Sequence, residues 1–257
     1  MLLAPIQQIF EQIPMFVLVM FRMAGLIVLA PLMGSVTVPN KVKVLMVLVL
    51  SMAIFPLVPP IVYAPNSLLG LSVAVAGEML IGISIGFVLL LLFVGIQFGA
   101  ELVSYQMGFS MAQLIDPMTD ISTTVLSQFY LLLGTLLYVL MDGHLILIKS
   151  LAQTFQTIPL LGGFNGLPVL KVCVVVITEA FKLGIRIAGP ALVALFLEAL
   201  AMGFISRTMP QLNILAAGFP IRIILALVLL LASMCTVLML FQESLVMVFH
   251  QIGLIFI

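Results

Sequence analysis

AMGFISRTMPQLNILAAGFPIRI, residues 201–223, places an arginine (Arg207), a Pro-Gln-Leu-Asn turn and a second proline-flanked bend inside sequence otherwise apolar enough for lipid. Backbone that leaves the helical hydrogen-bond ladder at membrane depth must be held by other protein or line a cavity, because hydrocarbon offers no partner to N–H and C=O groups. The stretch therefore predicts bent helices supported by neighbouring protein, not a row of spans that face lipid alone.

The surrounding chain sets the class. Of 257 residues, 64% are hydrophobic and 7% charged, with a mean hydropathy of +1.42; a soluble domain has about a quarter of its residues charged. Residues 44–77, 79–100, 121–141 and 223–242 carry no charge, and each reaches the roughly 20 residues needed to cross a bilayer core. The fold class is all-α, a polytopic integral membrane protein, read as one domain over residues 1–257 because no repeat, linker or low-complexity tract divides it. Nine basic and nine acidic residues balance with no Lys/Arg run, so no nucleic-acid footprint is present. The N-terminus, MLLAPIQQIFEQIPMF, lacks the basic region of a cleavable signal and carries Glu11, so the first apolar stretch is expected to stay as a span. Cys173 and Cys235 both fall in apolar runs and read as buried small hydrophobes.

Hydropathy divides the chain into about six segments: 13–33, 44–62, 68–100, 125–141, 169–205 and 221–249. Three exceed one straight crossing, since about 33 helical residues span about 50 Å against a ~30 Å core. Pro190, Pro210 and Pro220 are expected to bend the C-terminal half, and Pro56, Pro59 and Pro60 to end the second segment.

Charge inside these segments is the first candidate for function. Lys171, Glu179, Lys182 and Arg186 fall within an arc of about 80° at 100° per residue, one charged stripe on an apolar helix. Glu179 and Lys182 form an i,i+3 pair, whereas Lys182 and Arg186 repel at i,i+4 and ask for a further counter-charge from elsewhere. The stripe fits a wet pathway, a polar subunit interface, or a helix partly outside the bilayer. Arg22 sits midway through the first segment and must meet a carboxylate or backbone carbonyls, with Glu78 and Glu198 as candidates on sign. A structural ion pair and a proton site would satisfy the same desolvation cost.

GISIG (Gly82, Gly86) and GIQFG (Gly95, Gly99) are GxxxG spacings that let helix backbones approach closely. GISIG also matches the serine-hydrolase elbow, but that device needs a strand and a sharp turn, and Ser84 lies inside a helix-length apolar run. Asp142, Gly143 and His144 read as a helix end at a polar boundary; with His250 the only other histidine and no paired-cysteine spacing, no metal ligand set and no catalytic constellation can be assembled. Residues 101–124, ELVSYQMGFSMAQLIDPMTDISTT, mix acids, hydroxyls and amides with Met107, Met111 and Met118, and Asp116 before Pro117 breaks any helix. Methionines can seal an irregular opening and repack around different partners. At about 24 residues the loop is long for a plain connection.

Four stretches in order, GEMLIGISIGF (77–87), FGAELVSYQMGFSMAQLIDP (98–117), MDGHLILIKSLAQTFQTIP (141–159) and FISRTMPQLNILAAGFPIRI (204–223), resemble successive motifs of the FliR family, the R subunit of the flagellar type III export gate, with relatives in injectisomes. Where that family often has Ser-Phe before the Ile-Pro turn, this chain has Thr154 and Phe155. The resemblance implies a subunit without enzymatic activity or cofactors, assembled with P and Q subunits and contacted by a B subunit in the bacterial inner membrane at the flagellar basal body. It implies bent helical hairpins winding into a helical channel for unfolded exported proteins, largely above the membrane plane. A P-like part would run over about 1–120 and a Q-like part over about 121–257. By the same likeness residues 101–124, including Met107, Gly108, Phe109, Met111, Asp116, Pro117 and Met118, correspond to the plug of the resting channel. Two other classes stay open: a secondary transporter using Arg22, Glu78, Lys182 and Arg186 at its midplane, and an intramembrane hydrolase using Ser84 or Asp142. PQLNILAAGFPIRI leans toward flagellar over injectisome use.

Overall fold

The structure, a computed structural model, describes residues 3–59, 67–108, 124–162, 166–209 and 214–254. Among these, all regular structure is helical: α1 (Leu3–Leu29), α2 (Asn40–Ile54) closed by a 3-10 turn (Phe55–Leu57), α3 (Leu68–Met107), α4 (Val125–Leu140), α5 (Gly143–Thr157), α6 (Gly166–Thr208) and α7 (Ile214–Leu254). Five of them are long and apolar enough to cross a membrane, and α4 with α5 make a further pair bent by 64°. The chain is an all-α polytopic membrane protein. Helices α3, α6 and α7 have 40, 43 and 41 residues, about 60–65 Å at 1.5 Å per residue and twice the thickness of a hydrocarbon core.

Three local expectations change. Residues 143–157 form a helix that hydropathy missed, because Lys149, Ser150, Gln153 and Gln156 lower its mean while Leu147, Leu151 and Phe155 form a buried face. Asp142 adopts a left-handed φ of 54° at the break, so the chain turns there into α5 instead of leaving helix altogether. Helices α6 and α7 contain Pro190 and Pro220 in their interiors, where each removes one rung of the hydrogen-bond ladder without ending the helix. Pro210 lies outside the described residues. Cys173 is half-buried and Cys235 exposed, both free, so the second cysteine sits on an outward apolar face and not in a core.

Two compact units share the chain. The first comprises Met1–Leu91, Val139–Val176 and Met247–Ile257; the second comprises Leu92–Tyr138 and Ile177–Val246. In the first, Leu18, Met23 and Leu26 of α1 are buried, as are Ile85 and Leu89 of α3 and Leu151 and Phe155 of α5. In the second, Phe93 packs edge-on against Tyr138 at 5.8 Å and Phe241 at 5.5 Å between ring centroids, a geometry aromatic quadrupoles favour. Helix α3 is the most enclosed candidate span, 61% buried, against 22% for α6, 17% for α7 and 11% for α2. The three less covered helices turn apolar side chains outward, where lipid or other protein must meet them.

Candidate functional site

Residues Glu78, Gly82 and Gly86 fall at i, i+4 and i+8 on α3, so they share one face. A Cβ on Gly82 would run into the Arg22 carbonyl, and one on Gly86 would lie 2.9 Å from the Leu26 carbonyl. Only glycine lets the two backbones come this close. That approach sets Arg22 beside Glu78, one turn before Gly82, and the guanidinium Nε donates to Glu78 Oε2 at 2.5 Å with both residues at most 3% exposed.

Neither charge rests on the other alone. Arg22 Nη1 donates to Thr154 Oγ1 at 3.0 Å, and Nη1 and Nη2 reach the Ile158 carbonyl at 3.3 and 3.2 Å. Its flat face stacks on Phe155, with the guanidinium carbon 4.2 Å from the ring centroid. Glu78 Oε1 accepts the Leu161 N–H at 3.3 Å. Leu161 has φ 70°, a left-handed conformation that a branched side chain avoids; the bond to a buried carboxylate helps offset that strain. Four groups from the end of α5 and the following turn therefore complete an ionic centre built by α1 and α3. Arg22 and Glu78 were legible as needing partners; Thr154, Phe155, Ile158 and Leu161 were not, although a hydroxyl-aromatic pair before an Ile-Pro turn is the signal that could have pointed to them.

The second unit treats its charges differently. Gly95 and Gly99 of α3 lie against α6, where added Cβ atoms would stand 2.6 Å from the Ala180 and Gly184 carbonyls. With Ala180, Leu183, Gly184 and Ile187 buried, Glu179, Lys182 and Arg186 are left on the less covered side. Lys182 Nζ donates to Glu179 at 2.6 Å, while Arg186 has no carboxylate partner among the described residues. Lys171, on the α6 segment of the first unit, is also exposed. Glu198 does not meet Arg22: its Oε2 accepts from Arg222 Nε at 2.9 Å across α6 and α7. Arg207 is exposed in the last turn of α6, where a cation faces the carbonyl end of the helix.

The expected loop over residues 101–124 begins later, because residues 101–107 continue α3, and beyond Gly108 only Thr124 at its far end is described. Met107 is fully buried, and Gly108 ends α3 with φ 88°, a left-handed stop that suits glycine, with Phe219 of α7 3.1 Å from where a Cβ would stand. Phe109, Met111, Asp116, Pro117 and Met118 lie outside the described residues. The Ser84 hydroxyl donates to the Leu80 carbonyl one turn back, inside continuous helix. Among the described residues no three His, Cys, Asp or Glu side chains converge as a metal set requires.

A sequence profile of the family described as "Bacterial export proteins, family 1" matches residues 13–247. The chain is 32% identical over 219 residues to the flagellar biosynthetic protein FliR of Escherichia coli (strain K12), covering 84% of this chain and 82% of that protein. It is 29% identical over 216 residues to the FliR of Aquifex aeolicus (strain VF5), 83% of each. The FliR of Bacillus subtilis (strain 168) is 26% identical over 234 residues, 89% of each.

Proposed function

The chain belongs to the FliR family of bacterial export proteins, and from that premise we propose that it is the R subunit of the flagellar type III export gate in the inner membrane. The observation that carries this reading is the extent of the likeness: relatives named as flagellar biosynthetic proteins align over more than four fifths of their own length. The physical character of the molecule supports it. Helices twice as long as a bilayer is thick, with outward faces mixing apolar side chains and charge, suit a protein-walled assembly better than a lone span in lipid. Arg22 and Glu78 bond to each other and to further protein groups, which favours a structural ionic centre over a transporter site.

In this reading the chain joins P and Q subunits in a helical channel, with a P-like part over about 1–120 and a Q-like part over about 121–257, meets the B subunit, and passes unfolded flagellar proteins. Residues 101–124 plug the resting channel; the first seven continue α3, and the chain leaves that helix at the left-handed Gly108. A cell lacking the chain should stop exporting filament protein and lose motility, with both restored by the wild-type gene. Shortening residues 109–117 should preserve co-purification with P and Q while making the membrane permeable to small ions. A deletion complex that forms and stays tight removes the plug; restored export without any co-purifying partner removes the subunit reading.

A further inference from the structure

Helix α6 carries, on the side away from Gly95 and Gly99, a positive site that is unmatched among the described residues of the second unit. Glu179, Lys182 and Arg186 carry a net charge of +1, and the only carboxylate among them is bonded to Lys182. Of the unit's other carboxylates among the described residues, Glu198 holds Arg222, while Glu101 and Glu243 make no ion pair. Arg186 is exposed and stands four residues from Lys182, so the two cations repel along the same face.

The flanks decide what covers this site. Toward the N-terminus from Arg186, Phe181 and Ile185 are 53% and 58% exposed; toward the C-terminus, Val193 and Phe196 are 62% and 58% exposed, and at 100° per residue all four share an arc of about 140° with Arg186. A lipid headgroup could neutralise Arg186, but it would fix that level at the bilayer surface and leave one of the two apolar flanks in water. Placing both flanks in hydrocarbon would strand the guanidinium there without a counter-charge. A protein helix laid along α6 covers both flanks and can bring a carboxylate to the middle. Arginine suits this role because its planar fork grips a carboxylate bidentately when desolvated.

We propose that the outward face of α6 around Arg186 docks a helix of another export-gate subunit, and that this helix places an aspartate or glutamate opposite Arg186. The inference rests on the gate-subunit reading and adds to it the face used and the chemistry of the partner.

The test uses cells carrying the complete apparatus, with a photoreactive benzoylphenylalanine replacing Ile185 or Val193 in an otherwise wild-type chain. Irradiation should yield adducts with a different protein, mapping to a segment that contains Asp or Glu. Arg186→Glu should lower the amount of chain recovered with the apparatus by about tenfold or more, since a like-charge contact replaces a desolvated pair. Arg186→Lys should fall between wild type and Arg186→Glu, because it keeps the charge and loses the bidentate fork. Reversing the mapped acid to Arg should restore recovery of Arg186→Glu. Adducts with lipid only, or with a second copy of this chain, overturn the proposal, and so does equal recovery of Arg186→Glu and wild type. If the wild-type chain is itself not recovered with other subunits, the gate-subunit reading fails first. Should Arg186→Glu not accumulate, the cross-links made in the wild-type charge background still decide.

Discussion

Two arginines in equally apolar helices meet opposite fates. Arg22 of α1 is fully buried and satisfied by a carboxylate, a hydroxyl, a carbonyl and an aromatic face, all from its own unit. Arg186 of α6 is exposed and has no carboxylate partner among the described residues. The same side chain therefore serves folding in one place and remains available in the other. The ion centre at Arg22 is specified by local geometry, whereas the face at Arg186 is left without a counter-charge among the described residues.

The comparison breaks most readily at Arg22. Replacing it with Ala leaves Glu78 charged and buried, and should destabilise the chain by about 3–5 kcal/mol, the cost of orphaning one member of a buried pair. Accumulated protein and its melting in detergent should both collapse, whereas Arg186→Gln should leave the melting of the isolated chain nearly unmoved. Equal losses in the two variants would mean that the arginines do not differ in role.

Gly95→Leu comes next. Its first side-chain carbon already meets the Ala180 carbonyl, Cα and Cβ at 2.6–2.8 Å, so α3 and α6 must separate; overpacking of this kind costs about 1–3 kcal/mol or more. Lower thermal stability, with weaker recovery of the assembled complex, is the expected result. Thr154→Val keeps the shape and removes two hydrogen bonds, the one accepted from Arg22 and the one donated to the Leu151 carbonyl, for a loss of about 1.5 kcal/mol or more. Thr154→Ser should retain most of the stability, because the hydroxyl is the working part. Smallest of all, Ser84→Ala removes a hydroxyl bonded only within its own helix and should change stability by less than about 0.5 kcal/mol, with motility intact. Lost motility in an assembled Ser84→Ala complex would revive a hydroxyl-based chemistry.

Membrane class, the helical character and the need of Arg22 for a partner are all legible in the sequence, because hydrocarbon imposes length, apolarity and charge compensation on any chain that enters it. The two glycine pairs are legible as places of close approach for the same reason: a missing Cβ is a local property. Helix α5 was not, since its buried face is only Gly143, Leu147, Leu151, Thr154 and Phe155 and its polar face dilutes any hydropathy average. The choice between Glu78 and Glu198 as the partner of Arg22 was equally hidden at first reading, although Glu78 keeps register with Gly82 and Gly86 and so had to face whichever helix those glycines admit.

What the sequence determined by itself is thus a set of requirements: helices of given length, charges to be neutralised, and backbones able to touch. Tertiary structure decided how each was met. It brought Thr154, Ile158 and Leu161 to a pair formed more than seventy residues earlier in the chain, gave Glu198 to Arg222, and left Arg186 facing outward. The physical reason is that a desolvation cost states only that a partner must exist. Which partner it is depends on distances of a few ångströms, and those are fixed only when α1, α3 and α5 pack in one unit and α3, α6 and α7 in the other.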